Sequence, residues 1–564
     1  MVFSAGNRSD TVKLAPEMLH TPGETATTSC NSGQIRSLFR SKGLASVCVR
    51  GALPVAYFFR VVCFRRLLQP AGVCGNILRA VDGISGCCLD HSPFPGHSAA
   101  SAKFRFTPEF RLTCAIPSLK TSCDRHSHMT SPRPSLSASR RDFLAGTAAA
   151  AAVTATASSV SAGVWAGGSD RLKVGLVGAG GRGTGAAEQA LNADPGTELV
   201  GIADVFDDAV ARARRQLGRM FNKDGQPARV TADDAHCVSG FDAYKKVIDS
   251  CDVVLLASTP HFRPQHLRAA VDAGKHVFCE KPVAVDGPGV RSVMESSEIA
   301  RQKNLNLVSG LCWRYHPGKR AIFEQIRNGA IGDIVAMQCS YMTSGVWDPR
   351  RQRDQCKNEM EYQLRNWYYY TWLSGDFNVE QHIHSLDKMM WAMNDVAPTV
   401  ISGSGGRQAR TDARYGNIYD HFDVVYTWAN GVKAFARCRH WPNCENEVED
   451  YIFGTKGRVD VMSHRITDLA GNEIWKYSGP DGDMYQIEHN ELFAAIRAGK
   501  VINNGDYMCK STLMAIAGRM AAYTGQRLTW EACLNSKEDL SPKAYEWTDM
   551  PTPSVAIPGR TPFV

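Results

Sequence analysis

From Leu172 onward, short apolar runs alternate with longer amphipathic stretches. Leu172, Val174, Leu176 and Val177 make the first run, followed by Glu198–Ala203, Val253–Ala257, Lys275–Cys279 and Asn306–Gly310. Near-continuous apolar runs suit strands buried on both faces, so the pattern predicts an α/β domain with a parallel sheet covered by helices on both sides. Further on the pattern changes. Phe422–Trp428, Val432–Cys438, Glu449–Phe453 and Arg458–Val461 alternate like antiparallel strands, with Asn430-Gly431 and Gly454-Thr455-Lys456-Gly457 at hairpin turns. They predict a C-terminal α+β domain with an open mixed, largely antiparallel sheet. Met484–Ala498 and Thr512–Thr524 read as helices, and the Pro-rich tail from Pro551 has no regular pattern. The expected divisions are 170–312, 313–540 and an arm, 541–564, lying across the body or a neighbour.

The first apolar run leads into Gly178-Ala179-Gly180-Gly181-Arg182-Gly183, a G-x-G-x-x-G spacing where a helix should open. The first glycine permits a tight reversal, the second a close approach of backbone to a pyrophosphate, and the third close packing of helix on strand. Phosphates then meet free N–H groups at the helix N-terminus. The N-terminal domain is therefore expected to be a Rossmann dinucleotide-binding domain. The second run ends on Asp204, where a carboxylate accepts hydrogen bonds from ribose hydroxyls and repels a 2′-phosphate, favouring NAD over NADP. Ser258-Thr259-Pro260, His261 and His266 follow the third run, Glu280-Lys281-Pro282 the fourth, and Trp313-Arg314-Tyr315 the fifth. Strand C-terminal ends bind ligands in open α/β sheets, so these loops are expected around the nicotinamide end.

The front of the chain is different. Residues 1–138 carry 16 Lys+Arg against 7 Asp+Glu and show no sustained periodicity, so no domain is expected there. The apolar run from Val55 to Leu68 is interrupted by Arg60, Arg65 and Arg66 and does not suit a bilayer span. Ser139-Arg140-Arg141-Asp142-Phe143-Leu144, followed by an Ala/Thr/Ser-rich run, has the layout of a twin-arginine export signal over 139–166. Translation is expected to begin at Met129, and the mature protein to be periplasmic or otherwise extracytoplasmic. Without residues 1–142 the chain holds 46 Lys+Arg against 48 Asp+Glu, so the basic excess belongs to the leader and leaves no nucleic-acid footprint. Ten cysteines follow the leader, without a C-x-x-C pair, and read as buried thiols, although Cys438 and Cys444 are spaced so that they could pair.

Taken together, the glycine fingerprint, the acidic end of strand two, the Thr259-Pro260 loop with its histidine, and Glu280-Lys281-Pro282 resemble the glucose-fructose oxidoreductase, inositol dehydrogenase and rhizopine-catabolism (Gfo/Idh/MocA) family. The family's G-G-x-x-x-D-x-x-x-H-x-x-D helix has its counterpart in Gly375-Asp376-Phe377-Asn378-Val379-Glu380-Gln381-His382-Ile383-His384-Ser385-Leu386-Asp387. The resemblance implies hydride transfer between NAD and a secondary alcohol of a sugar, polyol or glycoside. His384 would be the acid/base, because a hydroxyl loses hydride only as its proton leaves. Lys281 would polarise the oxygen and touch the nicotinamide ribose. Glu380 stands where the family has Asp, one helical turn before the histidine, and Asp387 would share that face and touch substrate. A core histidine at position 384 and a surface lysine at 281 are the structural alternatives. A metal held by Glu380, His382 and His384 is disfavoured, since residues two apart on a helix point in different directions.

Between Tyr341 and Ser374 lies a stretch dense in aromatics and arginines, including Trp347, Arg350, Arg351, Arg365, Trp367 and Tyr368. It suits a substrate wall and a subunit interface equally. Trp313, Arg314, Tyr315 and Trp367 are the substrate candidates. The resemblance also implies a homodimer or homotetramer built on the exposed sheet face. If the chain is exported folded, its cofactor is loaded beforehand and regenerated in place, through paired oxidation and reduction of two substrates or through a redox-neutral, NAD-dependent glycoside hydrolysis. A non-catalytic sugar-binding protein is disfavoured by the joint presence of Lys281 and His384.

Overall fold

The computed structural model describes residues 171–564; the expected start at Met129 and the export signal lie outside the described residues. Six parallel strands form the first sheet: β1 (Leu172–Val177), β2 (Thr197–Asp204), β3 (Cys237–Ser239), β4 (Val253–Leu256), β5 (His276–Cys279) and β6 (Leu307–Ser309), in the order β3-β2-β1-β4-β5-β6. In β4 every side chain is buried, and alternate residues go to opposite faces: Val253 and Leu255 join one core, Val254 and Leu256 the other. That is the physical meaning of the unbroken V-V-L-L run. The strand order reverses at β1, so a crevice opens at its C-terminal end beside β4, where open α/β sheets bind nucleotides.

The second sheet has nine strands. These are β7 (Ile334–Thr343), β8 (Val400–Gly406), β9 (His421–Thr427), β10 (Lys433–His440), β11 (Glu447–Gly454), β12 (Gly457–Asp460), β13 (Arg465–Asp468), β14 (Glu473–Lys476) and β15 (Leu528–Thr529). Their order is β14-β13-β12-β11-β7-β10-β9-β8-β15, and β10 runs parallel to β7 while the other neighbours are antiparallel. Alternate residues of β9 and β10 are buried under helices, among them Phe377–Glu380, Ile383–Ala392 and Gly505–Thr524. The last of these starts ahead of the expected Thr512. It is buried almost all round, so it lacks the polar stripe from which a helix boundary is read.

The chain also returns to the first sheet. Helix Met484–Arg497 packs on helix Gly181–Ala193, with Leu492 and Phe493 in the core beneath it. Leu307 N–H then donates to Ile502 O and Asn504 N–H to Leu307 O, which fastens this return to β6. The C-terminal arm lies on the body: Tyr419 OH donates to Ala556 O at 2.9 Å and Ser536 Oγ to Val564 O at 2.6 Å. The suggested Cys438–Cys444 pair is not present; Cys438 is buried, Cys444 is exposed, and both are free thiols. No helix among the described residues is long and apolar enough to cross a membrane.

Candidate active site

A cavity of about 810 Å³ lies at the switch point of the parallel sheet and is lined by both domains. Gly178 takes φ +97°, and a Cβ there would stand 2.2 Å from Ser258 N. A Cβ on Gly183 would stand 1.8 Å from Gly178 O, so helix Gly181–Ala193 sits against the turn only because that side chain is missing. At Gly180 and Gly181, by contrast, a Cβ would meet nothing within 4 Å. The first-turn N–H groups of Gly181, Arg182 and Gly183 have no acceptor among the described residues. Open space beside three free donors at a helix N-terminus fits a pyrophosphate. Asp204 accepts from Ala179 N at 2.7 Å and Phe206 N at 3.0 Å, fixing the turn, and its carboxyl is raised above its ordinary pKa by burial. It lines the cavity together with Ser258, Thr259, His266, Glu280 and Lys281. The residues present therefore fit a dinucleotide, with Asp204 at its ribose end.

Arg182 does not project freely toward this space. Its Nε donates to Glu280 Oε1 at 2.5 Å, and its guanidinium lies 4.9 Å from the Tyr485 ring centroid. The other oxygen of Glu280 accepts from Lys281 N at 3.2 Å. The fingerprint helix is thus linked through Glu280 to the loop that carries Lys281. His266 is stacked on Tyr244 at 4.2 Å and meets Ser258 Oγ at 3.1 Å; burial holds its pKa down to about 3.

Lys281, Glu380 and His384 line the same cavity. Lys281 Nζ donates to Glu380 O at 2.6 Å and Glu380 Oε1 at 2.9 Å, an ion pair that leaves the lysine one further hydrogen to give. His384 is 8 % exposed. Its Nδ1 is buried without a partner, which leaves Nε2 to the cavity. Burial first, and then the Lys281 and Lys388 ammonium groups, push its pKa well below the usual histidine value. The ring is neutral at pH 7 and ready to accept a proton. Its neighbour His382 shows what a core histidine looks like: fully buried, Nδ1 3.1 Å from Asn378 Oδ1, pKa lowered to about 3 by burial and Lys388.

Several expectations are corrected by this geometry. Glu380 and His384 do not share one continuous helix. Helix Phe377–Glu380 ends, Gln381 and His382 form a break, and helix Ile383–Ala392 follows. Asp387, three residues past His384, is outside the cavity lining and 1 % exposed; its carboxylate takes Arg314 Nε and Nη2 at 2.9–3.1 Å and Ser511 Oγ at 2.7 Å. Arg314 also pairs with Asp395 at 2.6 Å and lies 4.0 Å from the Tyr507 ring centroid, so it too belongs to the core. Tyr315 turns away to donate to Asn504 Oδ1, and Trp313 is placed against His316, Lys319 and Lys388. Neither lines the cavity, and nor does Pro260, which opens the 3-10 turn after Thr259.

The aromatic and arginine stretch splits. Trp347, Arg350, Arg351, Arg365, Trp367 and Tyr368 line the cavity, while Tyr362, Tyr369, Tyr370 and Trp372 are buried in the core. Buried Asn366 fixes the turn at the rim: its Oδ1 accepts from Arg350 N and Arg351 N, and its Nδ2 donates to Arg351 O. Residues with no sequence signal complete the wall. Tyr485 comes from the helix that returns to the first domain, Gln381 from the helix break, Phe206 and Phe241 from loops after β2 and β3, and Arg212 from helix Asp207–Phe221.

Comparison with known proteins agrees with this architecture. Residues 172–311 match the model of the oxidoreductase family with an NAD-binding Rossmann fold, and residues 320–460 that of the GFO/IDH/MocA C-terminal domain. The chain is 25 % identical over 302 residues to inositol 2-dehydrogenase 3 of Saccharopolyspora erythraea, covering 53 % of this chain and 75 % of that one. It is 25 % identical over 336 residues to inositol 2-dehydrogenase of Pseudomonas savastanoi pv. phaseolicola, covering 58 % and 88 %. Among solved structures, aldose-aldose oxidoreductase from Caulobacter crescentus superposes with a TM-score of 0.50 at 17 % identity, over 64 % of this chain and 99 % of that one. A levoglucosan dehydrogenase gives 0.50 at 19 % identity over the same shares. Two consecutive family domains, matched in order and folded around one crevice, make residues 172–460 a member of the Gfo/Idh/MocA family of NAD-binding oxidoreductases.

Proposed function

We propose that the protein transfers hydride between NAD and a secondary alcohol of a sugar or polyol. The observation that carries this reading is the convergence of Lys281, Glu380 and neutral His384 on the cavity that begins at the glycine turn. NAD, when bound, supplies the hydride acceptor. His384 Nε2 takes the hydroxyl proton as the carbonyl forms, and Lys281 donates to the substrate oxygen as charge develops on it. Glu380 holds the ammonium in place through two contacts. The bound nucleotide would rest on Gly178, Gly180, Gly181 and Gly183, with Asp204 at the ribose and Ser258, Thr259 and Glu280 along the nicotinamide side. Trp347 and Trp367 offer aromatic faces for the C–H faces of a ring, which supports a carbohydrate or cyclic polyol substrate. The relatives named inositol 2-dehydrogenase support the same class.

Two further points are proposals of the same reading. The twin-arginine layout at Ser139–Leu144 supports export of the folded protein. Exposed Val335, Phe435 and Ile474 on strands of the nine-stranded sheet support assembly through that sheet.

The test is to purify the full chain, denature it, and identify released nucleotide by mass spectrometry, then screen polyols and aldoses for reduced nicotinamide. Bound or bindable NAD together with oxidation of a cyclic polyol or sugar supports the reading. A protein that neither carries nor binds a nicotinamide nucleotide defeats it.

A further inference from the structure

Phe206 lies two residues past Asp204, at the ribose end of the crevice, and two distant parts of the chain converge on it. The Arg365 guanidinium sits 3.6 Å from its ring centroid and pairs with Asp208 at 2.7 Å. Trp547, from the C-terminal arm, packs 5.7 Å from Phe206 and 5.0 Å from Phe241. Tyr545 packs 5.8 Å from Phe241 and 5.5 Å from Phe262, and its hydroxyl meets His261 Nε2 at 2.8 Å. Phe206, Asp208, Phe241, Phe262 and Arg365 all line the cavity; Trp547 does not.

The arm is anchored on its other side to the element that carries Arg365. In helix Glu359–Arg365, Glu359 N donates to Asp549 Oδ1 at 3.1 Å and Met360 N to Thr548 O. Residues 545–549 therefore tie the nucleotide-binding loops to a helix of the second domain, across the outside of the crevice. Trp347 and Arg350, stacked at 4.2 Å, line the cavity from that second domain as well. A parallel-sheet crevice is ordinarily open at this end. Here it is bounded by both domains and held by the arm.

We propose that Arg365 and the Tyr545–Trp547 segment form a clasp over the adenosine end of the crevice, which retains the nucleotide from one turnover to the next. The proposal rests on reading the cavity as an NAD site. A retained nucleotide has to be restored within the protein. The hydride taken from the alcohol then either passes to a second carbonyl compound, which takes it up at carbon with a proton at oxygen, or returns to the oxidised carbon at the end of a redox-neutral cycle. His384 is placed to carry the proton in both directions.

The experiment follows release of NADH fluorescence from the loaded full chain after dilution into excess NAD, for the wild type, Trp547→Ala and Arg365→Gln. Trp547 is 44 % exposed, so its truncation leaves the core intact. Loss of its two aromatic contacts is expected to speed release roughly tenfold, with the single-turnover rate of hydride transfer unchanged. Arg365→Gln is expected to act in the same direction. A lowered melting temperature with unaltered release in both variants would make the arm a structural brace and overturn the clasp. So would wild-type release as fast as that of the variants. A wild type that binds no NADH at all fails the cofactor reading, a separate outcome that is seen before any variant is compared.

Discussion

Helix Ile383–Ala392 carries two clusters of charge that look alike in sequence and differ in kind. At its N-terminal end His384 faces the cavity beside the Lys281–Glu380 pair, with Nδ1 unpartnered and the ring held neutral. Three residues on, Asp387 is enclosed by Arg314 and Ser511, every oxygen occupied. Unspent hydrogen-bonding capacity next to open volume marks a group that handles a ligand, whereas a satisfied buried ion pair marks a group that holds the fold. In the proposed reading the same helix does both, and only the distribution of partners tells the two apart.

This contrast breaks most readily at His384. His384→Ala is expected to lower the rate of hydride transfer about 10²- to 10⁴-fold with nucleotide binding intact, and Lys281→Ala to fall in the same range; steady-state rates together with nucleotide occupancy check both. Arg314→Ala should do the reverse. Leaving Asp387 buried and unpaired is expected to cost about 3–5 kcal/mol of stability, read by denaturant unfolding, with KM for substrate unchanged in protein that remains folded. Gly183→Ala brings a Cβ against Gly178 O and displaces the glycine turn. A roughly hundredfold loss of turnover is expected, accompanied by loss of bound nucleotide.

The smallest effect sharpens the comparison through pH. Burial holds His266 and His382 neutral down to about 3 and His440 to about 4, against 6.5 in an unfolded chain. As pH falls below 6.5 the unfolded state takes up these protons first, so stability present above that value is lost progressively toward pH 4. Each ring contributes about 1.4 kcal/mol per pH unit at most. Asp376, raised to about 7 by burial, works in the opposite sense, since acid relieves the cost of its buried charge. Histidines lowered by burial, which also include His261, His464 and His489, outnumber the raised carboxyls, which besides Asp376 are Asp204, Asp286, Glu449 and Glu488, and unfolding free energies measured between pH 7 and pH 4 should decline. Activity should behave differently: with His384 as the proposed base and its pKa lowered by burial, the acid limb of a pH–rate profile for oxidation is expected below pH 6.5.

Local chemistry made part of this legible in the sequence. Gly178, Gly183 and Asp204 could be read because a tight reversal, a close helix contact and a ribose-facing carboxylate each demand one residue type at one spacing. Lys281 and His384 were reached through resemblance, and both line the cavity. Asp387 lies away from the face that helical spacing from Glu380 predicts, because the chain breaks at Gln381 and His382. Arg314 and Tyr315 follow a strand end, as ligand-binding residues often do, yet their partners Asp395 and Asn504 come from segments whose proximity no local pattern reveals. Tyr485 and Trp547 were invisible for the same reason. Each reaches the first domain only after the chain has crossed the second and come back.

The most direct measurement is single-turnover reduction of bound NAD by a cyclic polyol or sugar that the wild type oxidises, followed by absorbance in parallel for His384→Ala, Lys281→Ala and Arg314→Ala. The first two are expected to retain NAD and lose the absorbance change by at least about a hundredfold, and folded Arg314→Ala to match the wild type. Full hydride transfer in His384→Ala, or its abolition in a folded, NAD-loaded Arg314→Ala, would contradict the assignment of chemistry to one end of the helix and structure to the other.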